Sequence, residues 1–434
     1  MTDAPFPELD PHGWAALAAW MREQRWFAAK GSTPRLRQVA RLDLTPCDDG
    51  ARPVTLLVAD DADSRRPVYQ LALVARPAGG AEGGDPIVLL PGGVLNDGAR
   101  DPAYAEAVLA ELAAAGAELG DAPRAAAVPF AGEQSNTSLV IAREGDRDLV
   151  IKLFRVVHHG ENPEIELQRA LTRTGSPVVP RFIGSLAATW SADGAAEARG
   201  DLAVVQEFIG GAVDGWALAS RAAAGGHDFR DEARQLGAVT AAAHLGLAQQ
   251  LGHVASSPTD VSGLTGVWEQ RLEAALTVAP QLAVHAEEIR GRYAAAAAAP
   301  WGELQRIHGD LHLGQALHAP DGRWLLIDFE GEPLRTLAER THPEPVLRDV
   351  AGMLRSFDYA GSAHGAAGTR WAEQSAAAYL EGYSAASGAT PGPPELLLAL
   401  QLDKAVYEVT YEVRNRPDWV GIPLGAIQRM LRSS

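Results

Sequence analysis

Residues 308–333 read HGDLHLGQALHAPDGRWLLIDFEGEP, two acidic stretches joined by an apolar segment that has to double back. Pro320, Asp321 and Gly322 supply the turn between QALHA and RWLLIDF. A hairpin returns its ends to one place, so the loop carrying Asp310 is expected beside the DFE at 328–330. Asp310, Gln315, Asp328 and Glu330 then gather around one point. Oxygen ligands without a thiolate suit Mg²⁺. One carboxylate set apart from two metal-holding groups is what phosphoryl transfer requires. The first orients an attacking hydroxyl and accepts its proton, while the metal clamps a polyphosphate.

The rest of the chain suggests what frames that point. Residues 7–30 have the periodicity of an amphipathic helix, and strand-like runs follow at 35–44, 53–59 and 67–75. A glycine-rich break, PAGGAEGGDP, lies at 77–86. Beyond a helical stretch at 101–115, TSLVIA (137–142) and DLVIKLF (148–154) are joined by five residues that suit a hairpin. NPEIELQRALTR (162–173) opens as a helix should, with Asn162 to cap and Pro163 in the first turn. AVVQEFI (203–209) reads as a buried strand, and from 213 the pattern is mostly helical. Strands precede helices without βαβ alternation, so the class is α+β.

At 434 residues, two or three domains are expected. The net charge of −17 argues against a nucleic-acid or anionic-membrane partner. A single cysteine, Cys47, fits a reducing compartment. No apolar run approaches about 18 residues, and MTDAPFPELD lacks a leader pattern. The expectation is a cytoplasmic protein. Only Lys30, Lys152 and Lys404 are lysines, which marks them as places where a compact ammonium matters.

HxDxxxxQ followed by DFE, downstream of IK and a Glu-bearing helix, resembles the protein-kinase-like fold in its small-molecule kinase branch. EQSNTS (133–138), NPEIELQRALTRTG, HGDLHLGQ, LLIDFEGEP, LRDVAGMLRSF (347–357), DKAVYEVTYEVRNRPDWVGIPL (403–424) and QRWFAAKG near the N-terminus resemble actinobacterial maltokinases. The resemblance implies a bilobal arrangement of three parts: an N-terminal cap at 1–88, a β-rich ATP lobe at 89–212 and a helical lobe with the acceptor site at 213–434. It implies Asp310 as catalytic base and Gln315, Asp328 and Glu330 as Mg²⁺ ligands. Lys152 would hold the ATP phosphates, paired with Glu166, or with Glu164 because the helical phase is open. Ser135, Asn136, Thr137 and Ser138 would cover the phosphates, in a chain with no GxGxxG and no GxxxxGK[ST]. The backbone of Gln206, Glu207, Phe208 and Ile209 would meet the adenine. Relative to kinases at large, Gln315 replaces an Asn and DFE replaces DFG, as in maltokinases. The implied reaction moves the γ-phosphate of ATP to the anomeric hydroxyl of maltose, and the resemblance extends to a partner enzyme handling trehalose or maltose.

Several residues have plainer readings. His308 and His312 have zinc-like spacing, but no helix signal or HExxH glutamate accompanies them. His308 is expected to buttress the loop backbone. Asp349 is either an ordinary helix-cap acid or, by the resemblance, an anchor of the catalytic loop. Asp403, Lys404, Tyr407, Glu408, Tyr411, Glu412 and Arg414 recur at helical spacing, a pattern that is usually a solvated face. Sugars, however, need aromatic platforms and paired polar groups. With the resemblance, Asp403, Lys404, Tyr407, Glu408, Tyr411, Arg414 and Trp419, together with His312, become acceptor-site candidates. Trp14, Trp20 and Trp26 are expected in packing. Glucosamine kinases share the scaffold, and a silent kinase-like module is the reading from a different class.

Overall fold

The structure, a computed structural model, describes residues 8–27, 29, 31–77, 86–119, 126–129, 136–143, 146–191, 197–333 and 335–432. The chain divides into two compact units, one of residues 1–165 and 181–210, the other of 166–180 and 211–434.

The first unit opens with α1 (Pro11–Glu23), whose cap Asp10 accepts the Gly13 N–H at 2.8 Å. The apolar pattern of 7–30 outlasts the helix. Gln24 turns extended, so Trp26 and Phe27 reach the core from the turn that follows. Strands β1 (Leu36–Asp43), β2 (Arg52–Asp60), β3 (Val68–Pro77), β4 (Val88–Leu90) and β5 (Gly93–Asp97) form an antiparallel sheet in the order β1-β2-β3-β5-β4. Leu17 and Met21 of α1 pack with Phe27, Leu56 and Leu71, and Trp20 meets Trp26 edge-on at 6.0 Å. The tryptophans therefore pack, as expected.

Next come α2 (Pro102–Ala114), β6 (Ala126–Pro129), β7 (Thr137–Ala142), β8 (Leu149–Leu153), β9 (Val156–Val157), α3 (Pro163–Arg173), β10 (Phe182–Trp190) and β11 (Ala198–Glu207). The second sheet runs β10-β11-β8-β7-β6, and β9 pairs with β3. The expected 137–153 hairpin is present, with Ser138 opposite Lys152. The apolar sides of β7, β8 and β11 bury Leu139, Ile151 and Val205 with Tyr104 and Val108 of α2.

The second unit is mostly helical. It contains β12 (Val213–Asp214), α4 (Gly215–Gly225), α5 (Arg230–Leu251), β13 (His253–Ala255), α6 (Pro258–Val278), α7 (Ala286–Ala298) and β14 (Glu303–Gln305). There follow β15 (Ala316–His318), β16 (Trp324–Leu326), α8 (Leu337–Thr341), α9 (Leu347–Gly361), α10 (Gly365–Ser387), α11 (Pro394–Asn415) and α12 (Gly421–Arg432). Among the described residues no helix is long and apolar enough to cross a membrane. Trp268, stacked on Trp301 at 5.9 Å, centres the packing of α6 and α7. α5 and α10 cross on two glycines. A Cβ on Gly237 would stand 2.0 Å from the Tyr379 carbonyl oxygen, and one on Gly382 would stand 1.9 Å from that of Arg234. Gly237→Ala is therefore expected to lower stability by about 1–3 kcal/mol. Urea unfolding measures this, and an unchanged midpoint would show that the crossing can give way.

Candidate active site

Strands β15 and β16 pair as Ala316–Leu326, Leu317–Leu325 and His318–Trp324, closing the hairpin read from the sequence. Its base brings the two acidic stretches together: a Cβ on Gly309 would lie 3.4 Å from the Gly331 Cα. Gln315 Nε2 donates to Asp328 Oδ2 at 3.0 Å. Asp328 has φ of 64°, a left-handed conformation that costs a non-glycine residue about 1–3 kcal/mol. Glu330 follows two residues on, and its carbonyl accepts from Arg340 at 3.1 Å. An amide and two partly exposed carboxylates at one hairpin end form an oxygen donor set that fits a hard divalent cation.

The loop carrying Asp310 is held from behind. His308 is buried, and its Nε2 donates to the Ile327 carbonyl at 2.9 Å while its ring lies 4.5 Å from that of Phe329. It buttresses the loop, as expected. His312 Nδ1 accepts the Gly314 N–H at 3.0 Å, and burial pushes its pKa down. Asp349, fully buried in α9, accepts from the His308 N–H at 2.8 Å, the Gly309 N–H at 2.9 Å and His244 Nε2 at 3.0 Å. Of its two readings, the structure shows the loop anchor. Three residues on, a Cβ at Gly352 would come 2.4 Å from the Leu311 carbonyl oxygen, and four further on Ser356 Oγ accepts the Leu313 N–H at 3.2 Å. One stripe of α9 thus grips the loop at several points.

In the first unit, Lys152 of β8 donates to Glu164 Oε2 at 2.7 Å, both side chains being buried. The expected partner Glu166 is displaced by this finding. At about 100° per residue, two residues turn a helix by roughly 200°, so only one of the two acids can face the lysine. Asn162 Oδ1 accepts the Glu164 N–H at 2.9 Å at the start of that helix. Glu166 instead takes Arg306, whose Nε lies 3.1 Å away. Thr137 Oγ1 accepts from Arg155 at 2.8 Å, Ser138 is buried and Asn136 is half-buried. Ser135 lies outside the described residues. At the end of β11 Gln206 is buried, Glu207 is bound by Arg147 at 3.0 Å, and the Phe208 N–H donates to the Asp148 carbonyl at 2.8 Å. Ile209 is half-buried just beyond.

A cavity of about 430 Å³ opens beside Asp310 within the second unit. Tyr407, Tyr411, Trp419, Tyr359 and Trp216 give it aromatic walls. Lys404 Nζ lies 3.0 Å from Asp310 Oδ1 and 3.5 Å from Glu332 Oε1. Burial works against the Lys404 charge, but Asp310 and Glu332 outweigh it and push the pKa up. Glu332 is buried too, yet Arg348, Lys404, Arg271 and Arg335 hold its carboxyl well below the usual range. Glu408 takes Arg355 Nη2 at 2.6 Å, and burial leaves its pKa raised despite that partner. Glu412 takes Arg416 Nη2 at 2.6 Å and Nε at 2.9 Å, with the Tyr359 hydroxyl at 3.2 Å.

His312, Lys404, Tyr407, Glu408, Tyr411 and Trp419 therefore line the cavity, whereas Asp403 and Arg414 do not. At about 100° per residue those two fall at the edge of the arc that holds 404, 407, 408 and 411. Asp403 points to Arg271 of α6 at 2.6 Å, where burial raises its pKa, and Arg414 is exposed. Trp216, Glu332, Tyr359 and Arg416 were not anticipated as lining. Glu332 lies in the quoted acidic stretch, but Trp216 and Tyr359 come from α4 and α9, and nothing local to them signals a shared wall.

Comparison with known proteins accords with this geometry. Residues 20–101 match the family described as maltokinase N-terminal cap domain, and residues 126–389 match the phosphotransferase enzyme family. A glucosamine kinase of Streptacidiphilus jiangxiensis is 30% identical over 72% of this chain and 78% of its own. One of Mycolicibacterium smegmatis is 28% identical over 70% and 79%. A solved glucosamine kinase superposes with a TM-score of 0.72 at 25% identity, covering 96% of this chain and 99% of that one. Another, in complex with glucosamine, ADP and inorganic phosphate, gives 0.70.

Proposed function

This chain belongs to the phosphotransferase enzyme family and carries the cap domain of maltokinases, and from that premise we propose that it is an ATP-dependent sugar kinase acting on maltose. The observation that carries the acceptor reading is the cavity beside Asp310. Its volume of about 430 Å³ is within the range of small-molecule sites. Five aromatic side chains offer stacking faces for the C–H sides of sugar rings, more than a single ring needs.

In the proposed reaction the anomeric hydroxyl oxygen attacks the γ-phosphorus of ATP. The new O–P bond forms as the bond from that phosphorus to the β–γ bridging oxygen breaks, and ADP leaves with the electron pair. Asp310 accepts the hydroxyl proton, giving maltose 1-phosphate. Lys152, set by Glu164, holds the nucleotide phosphates, with Asn136, Thr137 and Ser138 beside them and the 206–209 backbone at the adenine. Gln315, Asp328 and Glu330 would hold Mg²⁺, which when bound would supply positive charge to offset that of the phosphates.

The second reading, glucosamine as acceptor, is favoured by the names of the two relatives. An ADP-release assay with Mg²⁺-ATP against maltose, glucose, glucosamine and an aminoglycoside separates the two. Turnover is expected to be highest on maltose. Turnover on glucosamine but not on maltose would keep the phosphoryl chemistry and overturn the acceptor. Silence on all four, with no thermal shift by nucleotide at 100 times a kinase-like Kd, where about 2.7 kcal/mol is due, would leave a silent module.

A further inference from the structure

Four carboxylates line the acceptor cavity, and each already has a resident cation: Asp310 has Lys404, Glu332 has Lys404 and Arg348, Glu408 has Arg355, and Glu412 has Arg416. Four of the five aromatic side chains also have a cation over one face. Arg416 lies over Trp419 at 4.7 Å and over Tyr411 at 5.4 Å. Arg355 lies over Tyr359 at 5.5 Å, and Lys404 over Tyr407 at 5.6 Å. A protein holds an ammonium by a carboxylate or by a ring face. Here all four carboxylates, and one face of four of the rings, are occupied before any ligand arrives. An incoming ammonium would have to displace a resident cation from a carboxylate or sit against a guanidinium, and both are unfavourable. A neutral hydroxyl can share a paired carboxylate oxygen without displacing anything.

We propose that these resident cations make the cavity a charge filter that admits uncharged sugars and rejects amino sugars, with Arg416 as the residue that sets the preference. This rests on the sugar-kinase reading above. Arg416 is singled out by position. It follows α11 at the cavity rim with its side chain half-exposed, while the Glu412 it neutralises is buried. Removing it leaves Glu412 with the Tyr359 hydroxyl and uncovers two ring faces at once. Arg355 serves Glu408 in the same manner but is itself buried and tied to Asp358.

The test compares kcat/KM for glucosamine with that for glucose, a pair that differs only at the 2-position. Arg416→Ala is expected to raise the glucosamine-to-glucose ratio by about tenfold, the scale of a hydrogen bond to a buried charge. Arg416→Gln, which keeps a hydrogen-bond donor for Glu412 and so protects the rim, should move the ratio in the same direction. Arg416→Lys should leave it where it is, and adding Glu412→Gln to Arg416→Ala should abolish the gain. A ratio unmoved in both Arg416→Ala and Arg416→Gln, in enzymes that still phosphorylate sugars, would overturn the filter and leave the sugar-kinase reading standing. A wild-type enzyme that prefers glucosamine over glucose would also overturn it. Silence of the wild type on every sugar would remove the premise and the proposal together.

Discussion

Asp310→Asn is expected to lower kcat by about 10²–10⁴, the usual range for a lost general base. The Kd for nucleotide should stay nearly constant. Asn keeps the volume and one oxygen of the side chain, so the neighbouring Lys404 retains a hydrogen-bond acceptor at the Asp310 position. What is lost is the capacity to take a proton from the acceptor hydroxyl. Steady-state ADP release together with nucleotide titration separates the two quantities. A variant with near-normal turnover would remove Asp310 from the chemistry, whereas equal losses in binding and rate would recast it as a structural residue.

Asp349→Ala should be as costly to stability as Asp310→Asn is to rate. Two backbone N–H groups and a histidine ring converge on this carboxylate in a fully buried place. Deleting the shared partner of such a cluster costs about 3–5 kcal/mol, read as a fall in the denaturant midpoint. A loss within experimental scatter would mean that the loop is held elsewhere. The pH dependence has a definite sign. Burial opposes the Asp349 charge, but the His244 hydrogen bond, the His244 and His308 charges and the Gly309 N–H outweigh it, so the folded pKa lies below the ordinary value. A depressed carboxyl pKa stabilises the fold fully above the unfolded value of about 3.9. That stability is withdrawn as the pH falls through the folded value. Asp349→Asn should therefore flatten the acid limb of the stability profile.

The geometry of the candidate site was legible where it was local. The turn at Pro320–Gly322 and two apolar arms were enough to place Asp310 near Asp328, because a hairpin's geometry follows from its own residues. The helix at 162–173 was legible from its cap, but the choice between Glu164 and Glu166 was not. Both follow Asn162 within four residues, and only a partner on another strand decides the phase. The mixed stripe on α11 was legible as a stripe. Its edges were not, since Asp403 is drawn off by Arg271 of α6, a residue more than a hundred positions upstream. The extent of α1 was misjudged because Trp26 and Phe27 are as apolar as a helix face would be, while the core receives them from a turn.

The grip of α9 on the loop carrying Asp310 also sets a scale for the site. Asp349, Gly352 and Ser356 occupy one side of a helix whose rise is fixed at about 1.5 Å per residue. The backbone atoms of His308, Gly309, Leu311 and Leu313 rest against that side, so their spacing is copied from a ruler rather than negotiated among loop residues. One residue inserted before Ser356 would rotate everything that follows it on α9, Ser356 and the cavity-wall Tyr359 included, by about 100° relative to Asp349 and Gly352. The calibration of this site is stored in α9.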